Sequence, residues 1–546
     1  MFEISTLLVC LGVGLVIYYG LQTLLRKPEH PPLPPGPKGL PLLGNLTDLP
    51  PPGMFEAHHW LKHKGLYGPI SSITVMGQTI IIINDWKIAS EVLEKRSAIH
   101  SSRPQMMMVG DLIGWDNSLA ISPYGDRFRT HRKNMARIIG SKTAAAKYDT
   151  LQEAEVGHFL LHVLDQPDNF MDHIRREAGS VILKIAYGYT SEQFKEDVLI
   201  NMAGKAMDDF GRTAVAGAFL VDIIPILRYV PEWVPGVNFK RLANQLQLEL
   251  DDLVEKPYAF VKHQHAAGKQ DNSFLTQLLD AGDATPEERT VSAIACFFLA
   301  MSRYPEVQIK AQEDIDRVIG NERLPDASDR SKLPYIDAIV KEVLRWHPVA
   351  PMGLPHTSTA DDVFEGYFIP KDAIVMANIW GFAHDPEVHS EPERFNPERF
   401  LSTGGNQPEQ DPSSYAFGFG RRICPGRILA ENALFLNIAQ SLAVFSISKD
   451  GKQVEPELRF TPGVVSHPER FKAVIKPRSA LTETLIRSLE QKYPWQKSDG
   501  HILENMEPQS QRQASGAPDK AVIARVSVDH RFVNLGVTQL GIFISS

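Results

Sequence analysis

The segment Phe417-Gly-Phe-Gly-Arg-Arg-Ile-Cys-Pro-Gly426 decides the fold that the sequence predicts, because it fits the pattern FxxGxRxCxG at every specified position. Its glycines would let the backbone approach a flat cofactor closely. Cys424 stands just ahead of a predicted helix from Arg427, and the free backbone N–H groups of a helix start stabilise a negatively charged sulfur. Arg422 could neutralise a carboxylate of the cofactor. The segment therefore predicts a thiolate directed at a metal, whereas a cysteine outside such a pattern is more often a small buried hydrophobic residue.

A second motif lies upstream, on the predicted helix Pro334–Trp346. Glu342-Val-Leu-Arg345 places two opposite charges three residues apart, so both lie on one helical face and can pair. Phe395-Asn-Pro-Glu-Arg-Phe400 offers Arg399 as a third member. A buried cluster of this kind would need all three partners, since an unpaired buried charge is costly.

With these spacings, the segments Glu342–Arg345, Pro392–Phe400 and Phe417–Gly426 resemble those of a cytochrome P450. The chain is similar to microsomal eukaryotic members from residue 1 to about 478, and most similar to fungal monooxygenases of secondary metabolism. The resemblance implies a mainly α fold with a small β-rich lobe, shaped as a helical triangular prism. It also implies a haem-thiolate monooxygenase that binds haem b and inserts one oxygen atom from O2 into a lipophilic small molecule, a polyketide or a terpenoid.

The same resemblance assigns roles to individual residues. Cys424 is similar to the axial thiolate that donates electron density to the haem iron and favours O–O cleavage. In Phe128-Arg-Thr-His-Arg132, where the family usually has WxxxR, Phe128 lacks the indole hydrogen bond but Arg132 can still bind a haem propionate. His356 is either a further propionate partner or a histidine of a surface turn. The implied cofactor-binding residues are Arg132, His356, Phe417, Gly420, Arg422, Cys424 and Gly426, and the implied structural residues are Glu342, Arg345 and Arg399.

At the N-terminus, Ile4–Leu25 is a run of 22 residues without a charge. At about 1.5 Å per residue a helix of this length spans roughly 33 Å, enough for a bilayer core of about 30 Å. Arg26 and Lys27 follow at once, which favours a cytosolic body. We therefore expect residues 1–27 to be a single-pass anchor in the endoplasmic reticulum membrane, with a buried core helix as the alternative. The proline-rich residues 28–45 predict a stiff, extended hinge.

The rest of the chain predicts one large α-rich domain over residues 46–478. Ile70–Val75 and Thr79–Ile83 are typical of a β-hairpin. Residues 479–546 form an atypical C-terminal tail, which we expect to leave the core from about residue 505 onward. Helical periodicity covers Lys87–Lys95, Arg127–Ile139, Arg175–Ile185, Leu242–Gln264, Glu306–Val318 and Pro334–Trp346.

Composition limits the classes of partner. The 57 basic and 65 acidic side chains give a net charge of −8, which removes the usual electrostatic reason to expect nucleic-acid binding. Three cysteines, Cys10, Cys296 and Cys424, exclude a disulfide framework. No segment resembles a flavin or nicotinamide module, so we expect electrons to come from a separate NADPH-dependent reductase. The basic residues expected to receive it are Lys133, Arg137, Arg421 and Arg427.

Three segments are candidates for the wall of a substrate pocket. Pro104–Val109 holds three consecutive methionines, whose adaptable side chains suit the roof of a hydrophobic pocket. Val349–Leu354 and Gly463–Ser466 resemble other pocket-lining segments of the family. No residue among them chooses between a polyketide and a terpenoid.

The oxygen-activating helix is expected to be incomplete. The family's long central helix carries A/G-G-x-D-T-T, but Thr285-Pro-Glu-Glu-Arg-Thr-Val-Ser-Ala-Ile294 passes directly to the second half of such a helix. Thr290 would then be the second threonine and the remaining catalytic candidate. From Glu287 to Met301 only about 22 Å of helix is available. The alternative to a working monooxygenase is therefore a haem-binding, membrane-anchored scaffold without turnover, and a further interpretation is a divergent but working helix that uses Thr285.

Overall fold

The computed structural model describes residues 30–51, 53–215, 218–268, 273–275, 290–402, 407–451 and 458–504. Over these residues the chain is mainly helical with three small sheets, so the predicted fold class is confirmed. The longer helices are α1 Glu56–Tyr67, α2 Asp126–Ile139, α3 Asp149–Asp165, α4 Phe170–Tyr187, α5 Val198–Thr213, α6 Asn238–Ala266, α7 Thr290–Arg303, α8 Pro305–Val318, α9 Pro334–Trp346, α10 Arg427–Val444 and α11 Ala480–Lys492. Shorter helices span Trp86–Ala89, Lys142–Ala145, Leu220–Ile223, Ile379–Ala383 and Gly500–Glu504.

Every helix predicted from periodicity is present. The predicted ranges Arg175–Ile185 and Leu242–Gln264 lie inside the longer helices α4 and α6. Lys87–Lys95 forms a short α-helix followed by a π-helical stretch, Ser90–Lys95. The periodicity succeeds because each of these helices buries one apolar face, which in α9 consists of Ile336, Ile339, Val340 and Val343.

The described residues contain one four-stranded sheet and two sheets of two strands each. Strands β1 Ile70–Val75 and β2 Gln78–Ile83 pair antiparallel with Ile70 opposite Ile83, which confirms the predicted hairpin. The other strands are β3 His356–Thr357, β4 Asp362–Phe364, β5 Tyr367–Ile369, β6 Ile374–Ala377, β7 Phe445–Lys449 and β8 Ala473–Pro477. The sheet of β1 and β2 continues through β6 to β3, and β6 runs parallel to β2.

In the proline-rich segment, residues 31–39 have no regular secondary structure, residues 40–44 form a turn, and part of the segment is hydrogen-bonded to the body. Phe368 donates its backbone N–H to Pro32 O at 2.8 Å, and Ser72 donates to Pro35 O at 3.0 Å. A Cβ on Gly36 would collide with Ser72 O, so the segment can lie this close only with glycine there. Backbone hydrogen bonds to β1 and β5 therefore hold this stretch against the body, and its role as a stiff hinge stays a prediction.

Helices α7 and α10 share the largest apolar cluster of the described residues. Cys296 and Phe297 of α7 have no exposed surface. Phe417 and Cys424 belong to the same cluster and precede the N-terminus of α10. The cysteine loop is therefore anchored directly on the core.

The C-terminal helix α11 packs against α3. Leu489 is buried. A Cβ on Gly157 would lie 3.1 Å from a ring carbon of Tyr493, so α3 and the C-terminal end of α11 approach each other closely there. His158 of α3 also hydrogen-bonds Tyr493 O at 3.0 Å. The part of the predicted tail up to residue 504 is thus packed on the body, and residues 505–546 lie outside the described residues.

Among the described helices, none combines the length and the apolar composition that a membrane crossing requires. The predicted anchor Ile4–Leu25 lies outside the described residues, and so do Thr285 and its neighbours up to Arg289.

Candidate functional site

The loop Phe417–Gly426 is a tight turn that only glycine permits at two places. Gly418 and Gly420 have φ of +80° and +52°, values that other residues rarely adopt. A Cβ on Gly420 would also lie 2.6 Å from Leu93 O. The loop closes where Cys424 donates its backbone N–H to Phe417 O at 2.8 Å. The predicted cradle is therefore a defined backbone shape that presents Cys424.

Cys424 lies at the start of a long helix. Gly426 precedes α10, and its carbonyl accepts the first helical hydrogen bond, from Ala430 N at 2.9 Å. Cys424 thus precedes the N-cap by two residues, and the positive end of a helix dipole favours a thiolate placed near it. Cys296 offers a contrast, because burial raises the pKa of its thiol and keeps it protonated.

Arg422 is buried, and each of its three guanidinium nitrogens donates one hydrogen bond to a backbone carbonyl, which leaves two of its five N–H groups for another acceptor. It donates to Ser101 O at 2.7 Å, to Ser122 O at 2.8 Å and to Leu119 O at 3.2 Å. Its Cζ lies 3.8 Å from the ring centroid of Phe128, a cation–π contact. The pKa of Arg422 is lowered to about 9, first by burial and then by the positive charge of Arg132.

Two further predicted residues lie beside Arg422. His356 is 5% exposed and donates from Nδ1 to His100 O at 2.7 Å, which excludes the surface-turn alternative. Burial, followed by the charges of Arg103 and Arg422, holds the pKa of His356 well below its ordinary value. Arg132 is half-buried. In the part of the chain that the structure describes, no carboxylate pairs with Arg422, Arg132 or His356. We call these three residues the basic cluster.

Arg103, which no sequence motif had indicated, lines a small cavity together with His356 and Arg422. Arg103 donates to Leu354 O and Pro355 O at 2.8 Å each and to Ala120 O at 2.8 Å. The signal was available, because Arg103 is the only charged residue between residues 97 and 110. The cavity is lined by Leu93, Arg103, His356, Gly418, Phe419 and Arg422 among others.

These residues fit a flat, metal-centred cofactor that carries carboxylates. Buried cations without an acidic partner are costly, and a ligand with negative groups would remove that cost. The glycine loop gives close backbone approach, and Cys424 supplies a sulfur ligand. A haem, with two propionates and an iron, meets all three requirements, so the residues present fit the group that the sequence implies.

The predicted structural cluster is present and is larger than the sequence indicated. Glu342 Oε2 accepts from Arg345 Nε at 2.7 Å, and Arg399 Nε lies 3.2 Å from the same oxygen. Arg399 Nη1 also pairs with Glu409 at 2.8 Å, and Glu409 accepts from His389 at the same distance. We call Glu342, Arg345, Arg399 and Glu409 the balanced cluster, because two carboxylates face two guanidinium groups.

A cavity of about 1230 Å³ opens next to this site. Pro104–Met107, the first part of the predicted roof, lines it together with Arg103, so the larger cavity adjoins the smaller one. Ala350 and Leu354 of the second predicted segment line the smaller cavity. The third segment contacts the second, since Ser466 N donates to Val349 O at 2.9 Å.

Thr290 is the first residue of α7, and its side chain lies outside the described part of the structure. Its catalytic role stays a prediction. Within the described residues α7 has 14 residues and ends at Arg303.

Comparison with known proteins gives consistent matches over most of the chain. A family model described as Cytochrome P450 matches residues 34–291 and 286–475. Cytochrome P450 monooxygenase claR of Ampulloclitocybe clavipes is 46% identical over 498 residues, 87% of this chain and 92% of that protein. Cytochrome P450 monooxygenase ppsD of Aspergillus oryzae is 45% identical over 495 residues, 86% of this chain and 94% of that protein. O-methylsterigmatocystin oxidoreductase of Aspergillus flavus is 40% identical over 516 residues, 91% of this chain and 97% of that protein.

The names of these relatives describe monooxygenases and an oxidoreductase, and they give no support to the alternative of a scaffold without turnover. The fungal character that the sequence suggested is confirmed by their organisms. With such similarity across nearly its whole length, the chain belongs to the cytochrome P450 monooxygenases, the family that its cysteine loop had indicated.

Proposed function

We propose that this chain is a haem b monooxygenase that inserts one oxygen atom from O2 into a lipophilic polyketide or terpenoid of fungal secondary metabolism. The observation that carries the proposal is the basic cluster, which lacks acidic partners among the described residues and whose Arg422 precedes Cys424 by two residues. A chain that had lost its cofactor would have no use for a buried cation without a carboxylate partner, such as Arg422.

Each site residue would have a distinct task. Cys424 would bind the iron through its sulfur, and the N-terminus of α10 would keep that sulfur ionised. Arg422, Arg132 and His356 would bind the propionates. Haem, when bound, supplies the oxygen chemistry of the family. The buried apolar side chains of α7, among them Phe297, would exclude water from the same core.

The substrate would enter the cavity of about 1230 Å³ under the methionine segment. Its volume exceeds the roughly 300–1,000 Å³ of common ligand pockets, which suits a large polycyclic or prenylated molecule. Substrate-induced shifts of the haem absorption band, recorded across matched panels of polyketides and terpenoids, would identify the class. Shifts with neither panel would contradict this part of the proposal.

The electron donor would be an NADPH-dependent reductase. Lys133 and Arg137 are exposed and lie one helical turn apart on α2, and Arg421 is exposed on the cysteine loop. Arg427 is half-buried and lies 3.7 Å from Glu431. A patch of this charge suits an acidic partner surface. The charge reversal Lys133→Glu should slow reduction by the reductase, and unchanged reduction kinetics would contradict the docking site.

The membrane would be that of the endoplasmic reticulum, with the body in the cytosol and Ile4–Leu25 as the anchor. Apolar side chains at the rim of the larger cavity support this arrangement. Met76, Ile226 and Tyr229 line it and are 42%, 70% and 71% exposed. Flotation of the full chain with microsomes, compared with a chain that starts at His30, tests the anchor, and equal flotation would contradict it.

The central test is spectroscopic. The purified full chain, reduced under carbon monoxide, should give the red-shifted band of a thiolate-bound ferrous haem. Cys424→Ala should abolish the band. Cys296→Ala, which removes the other buried thiol, is the matched control and should retain it. A band that survives in Cys424→Ala, or a wild-type chain without any band, would overturn the proposal.

A further inference from the structure

Two members of the basic cluster receive their orientation from one short piece of backbone. His356 Nδ1 donates to His100 O at 2.7 Å, and Arg422 Nε donates to Ser101 O at 2.7 Å. The two carbonyls are consecutive, and Arg103 follows two residues later. We call His100–Arg103 the carbonyl strap. Any displacement of the strap would therefore move the side chains of His356 and Arg422 together.

One end of the strap is fixed by β3. Ser102 N donates to Thr357 O at 3.3 Å, and Thr357 N donates to Ser102 O at 2.9 Å. Thr357 is the immediate neighbour of His356, so this bridge sets the distance between the strap and that histidine. It does not hold His100 itself, whose carbonyl is the acceptor for His356.

The other end of the strap is held by the backbone N–H of His100, which donates to Arg96 O at 3.2 Å, and by the side chain of His100. This side chain has no exposed surface, and its Nε2 donates to Asp362 Oδ2 at 2.9 Å. Arg96 donates to the other oxygen, Oδ1, at 2.8 Å. Burial alone would raise the pKa of Asp362, but hydrogen bonds from His100 and Arg96 hold it below its ordinary value, so it accepts as a carboxylate.

Packing alone does not explain a histidine at position 100. Its second ring nitrogen, Nδ1, is buried and has no hydrogen-bond partner among the described residues. An apolar side chain of similar size would fill the same space without that cost, which is about 1–3 kcal/mol for an unsatisfied buried polar group. The feature that distinguishes His100 from such a residue is its hydrogen bond to Asp362.

We propose that Asp362 and His100 form a positioning pair for the cofactor carboxylate site. Asp362 lies on the β4–β5 hairpin and, through His100, fixes the carbonyl strap that orients His356 and Arg422. Neither residue touches the cofactor; both act through the strap. The inference rests on the proposed haem site and deepens it, since it adds two residues to which the family resemblance assigns no role.

The experiment compares three variants of the haem-loaded full chain. His100→Leu fills the space but cannot donate, His100→Gln places an amide donor at a similar reach, and Asp362→Asn removes the charge of the acceptor. The readout is the rate of haem release to excess apomyoglobin, measured beside the midpoint of thermal unfolding. Loss of an outer partner of this kind typically weakens a cofactor site about 10- to 100-fold.

We expect His100→Leu to release haem about tenfold faster or more, and His100→Gln to stay within about threefold of wild type. The double variant His100→Leu/Asp362→Asn should be no faster than His100→Leu, because the two residues act as one unit. Asp362→Asn should by itself release haem faster than wild type. It therefore provides the test if His100→Leu does not fold.

His158 provides the matched control. It is a buried histidine that lies 3.6 Å from a carboxylate, Glu155, and stacks on Trp495 at 4.2 Å. His158→Leu should lower the unfolding midpoint and leave haem release unchanged. Equal release from wild type and His100→Leu, or equal acceleration by His158→Leu, would overturn the inference. A wild-type chain without the thiolate–haem band would overturn the proposed function instead.

Discussion

The molecule has two clusters of basic side chains that differ in the presence of acidic partners. In the balanced cluster, Arg345 and Arg399 face Glu342 and Glu409, and the side chains of Glu342 and Arg345 have no exposed surface. In the basic cluster, Arg422 binds only neutral carbonyls and lies near a second cation, Arg132. Buried charge is tolerated when it is matched.

The difference separates a structural role from a binding role. The balanced cluster needs nothing from outside the chain, and it links α9 to the segment before Arg399 through carbonyls such as Pro392 O, which accepts from Arg345 at 2.8 Å. The basic cluster is incomplete until a ligand brings negative charge. The arginines of the balanced cluster therefore have a structural role, whereas Arg422 and Arg132 have a binding role.

The largest effect should follow from breaking the balanced cluster. Glu342→Ala leaves Arg345 and Arg399 with Glu409 as their remaining carboxylate, and removal of one partner of a buried pair costs about 3–5 kcal/mol. Urea unfolding of the haem-loaded protein measures this loss. Glu398→Gln is the control, because Glu398 is 53% exposed in its pair with Lys310, and it should change the free energy of unfolding by less than about 1 kcal/mol. Equal stability of the two variants would contradict the distinction.

The next largest effect should come from the basic cluster. In the cofactor-free protein, loss of a cation from this cluster should not lower the free energy of unfolding, in contrast to Glu342→Ala. Arg132→Met removes a cation close to Arg422, so the free energy of unfolding without haem should stay the same or rise. Haem release should accelerate about 10- to 100-fold, the equivalent of one lost charged hydrogen bond. Lys133→Met, at the exposed neighbouring position, should change neither quantity. A cofactor-free Arg132→Met protein destabilised as strongly as Glu342→Ala would show that the cluster is structural.

A buried carboxyl group outside both clusters sharpens the comparison, because Glu177 has an amide partner instead of a cation. Glu177 is 3% exposed and accepts from Asn437 Nδ2 at 3.4 Å, and burial raises its pKa to about 8. Between about pH 5 and pH 7.5 the unfolded chain has lost this proton while the folded chain keeps it. Stability should therefore fall as pH rises, by about 1.4 kcal/mol per pH unit from this group.

Glu177→Gln removes the titration, so its unfolding free energy should lack this slope and exceed that of wild type at pH 7.5. Urea unfolding at several pH values measures the difference between the two slopes. Parallel slopes for wild type and Glu177→Gln would show that Glu177 is already ionised in the folded chain.

The smallest effect concerns the ring beneath Arg422. Phe128→Leu keeps an apolar side chain but removes the cation–π contact, and the free energy of unfolding should fall by less than about 2 kcal/mol. Phe128→Trp, which restores the residue type usual in the family, should retain the contact and slow haem release. Faster haem release from Phe128→Trp than from Phe128→Leu would contradict the role given to the ring.

The sequence predicted those parts of the site that depend on spacing along one element. The loop around Cys424 and the pair Glu342–Arg345 are local, so their geometry follows from a turn and from helical periodicity. Glu409 was missed because it reaches Arg399 from an irregular segment with no motif. Whether a buried arginine has a partner depends on tertiary contacts, which single-sequence patterns do not contain.

The helices were predicted better than the connections between them. Apolar residues at the helical period located α4, α6 and α9. The ends of α4 and α6 lie beyond the predicted limits, whereas α9 has the predicted bounds. The proline-rich segment was predicted as extended, but its hydrogen bonds to Ser72 and Phe368 depend on strands far along the chain. Arg103 shows the same limit, since its partners Leu354 O and Pro355 O come from a distant turn.

The packing of α11 on α3 also has a consequence for biosynthesis. Gly157 and His158 of α3 receive their partners only when Leu489 and Tyr493 have been translated, and Tyr493 follows His158 by 335 residues. At about 5–20 residues per second, the nascent chain carries this surface of α3 uncovered for roughly 17 to 67 s. During that interval the ribosome-bound chain presents an apolar surface that chaperones recognise, so the yield of folded protein should depend on how long translation takes.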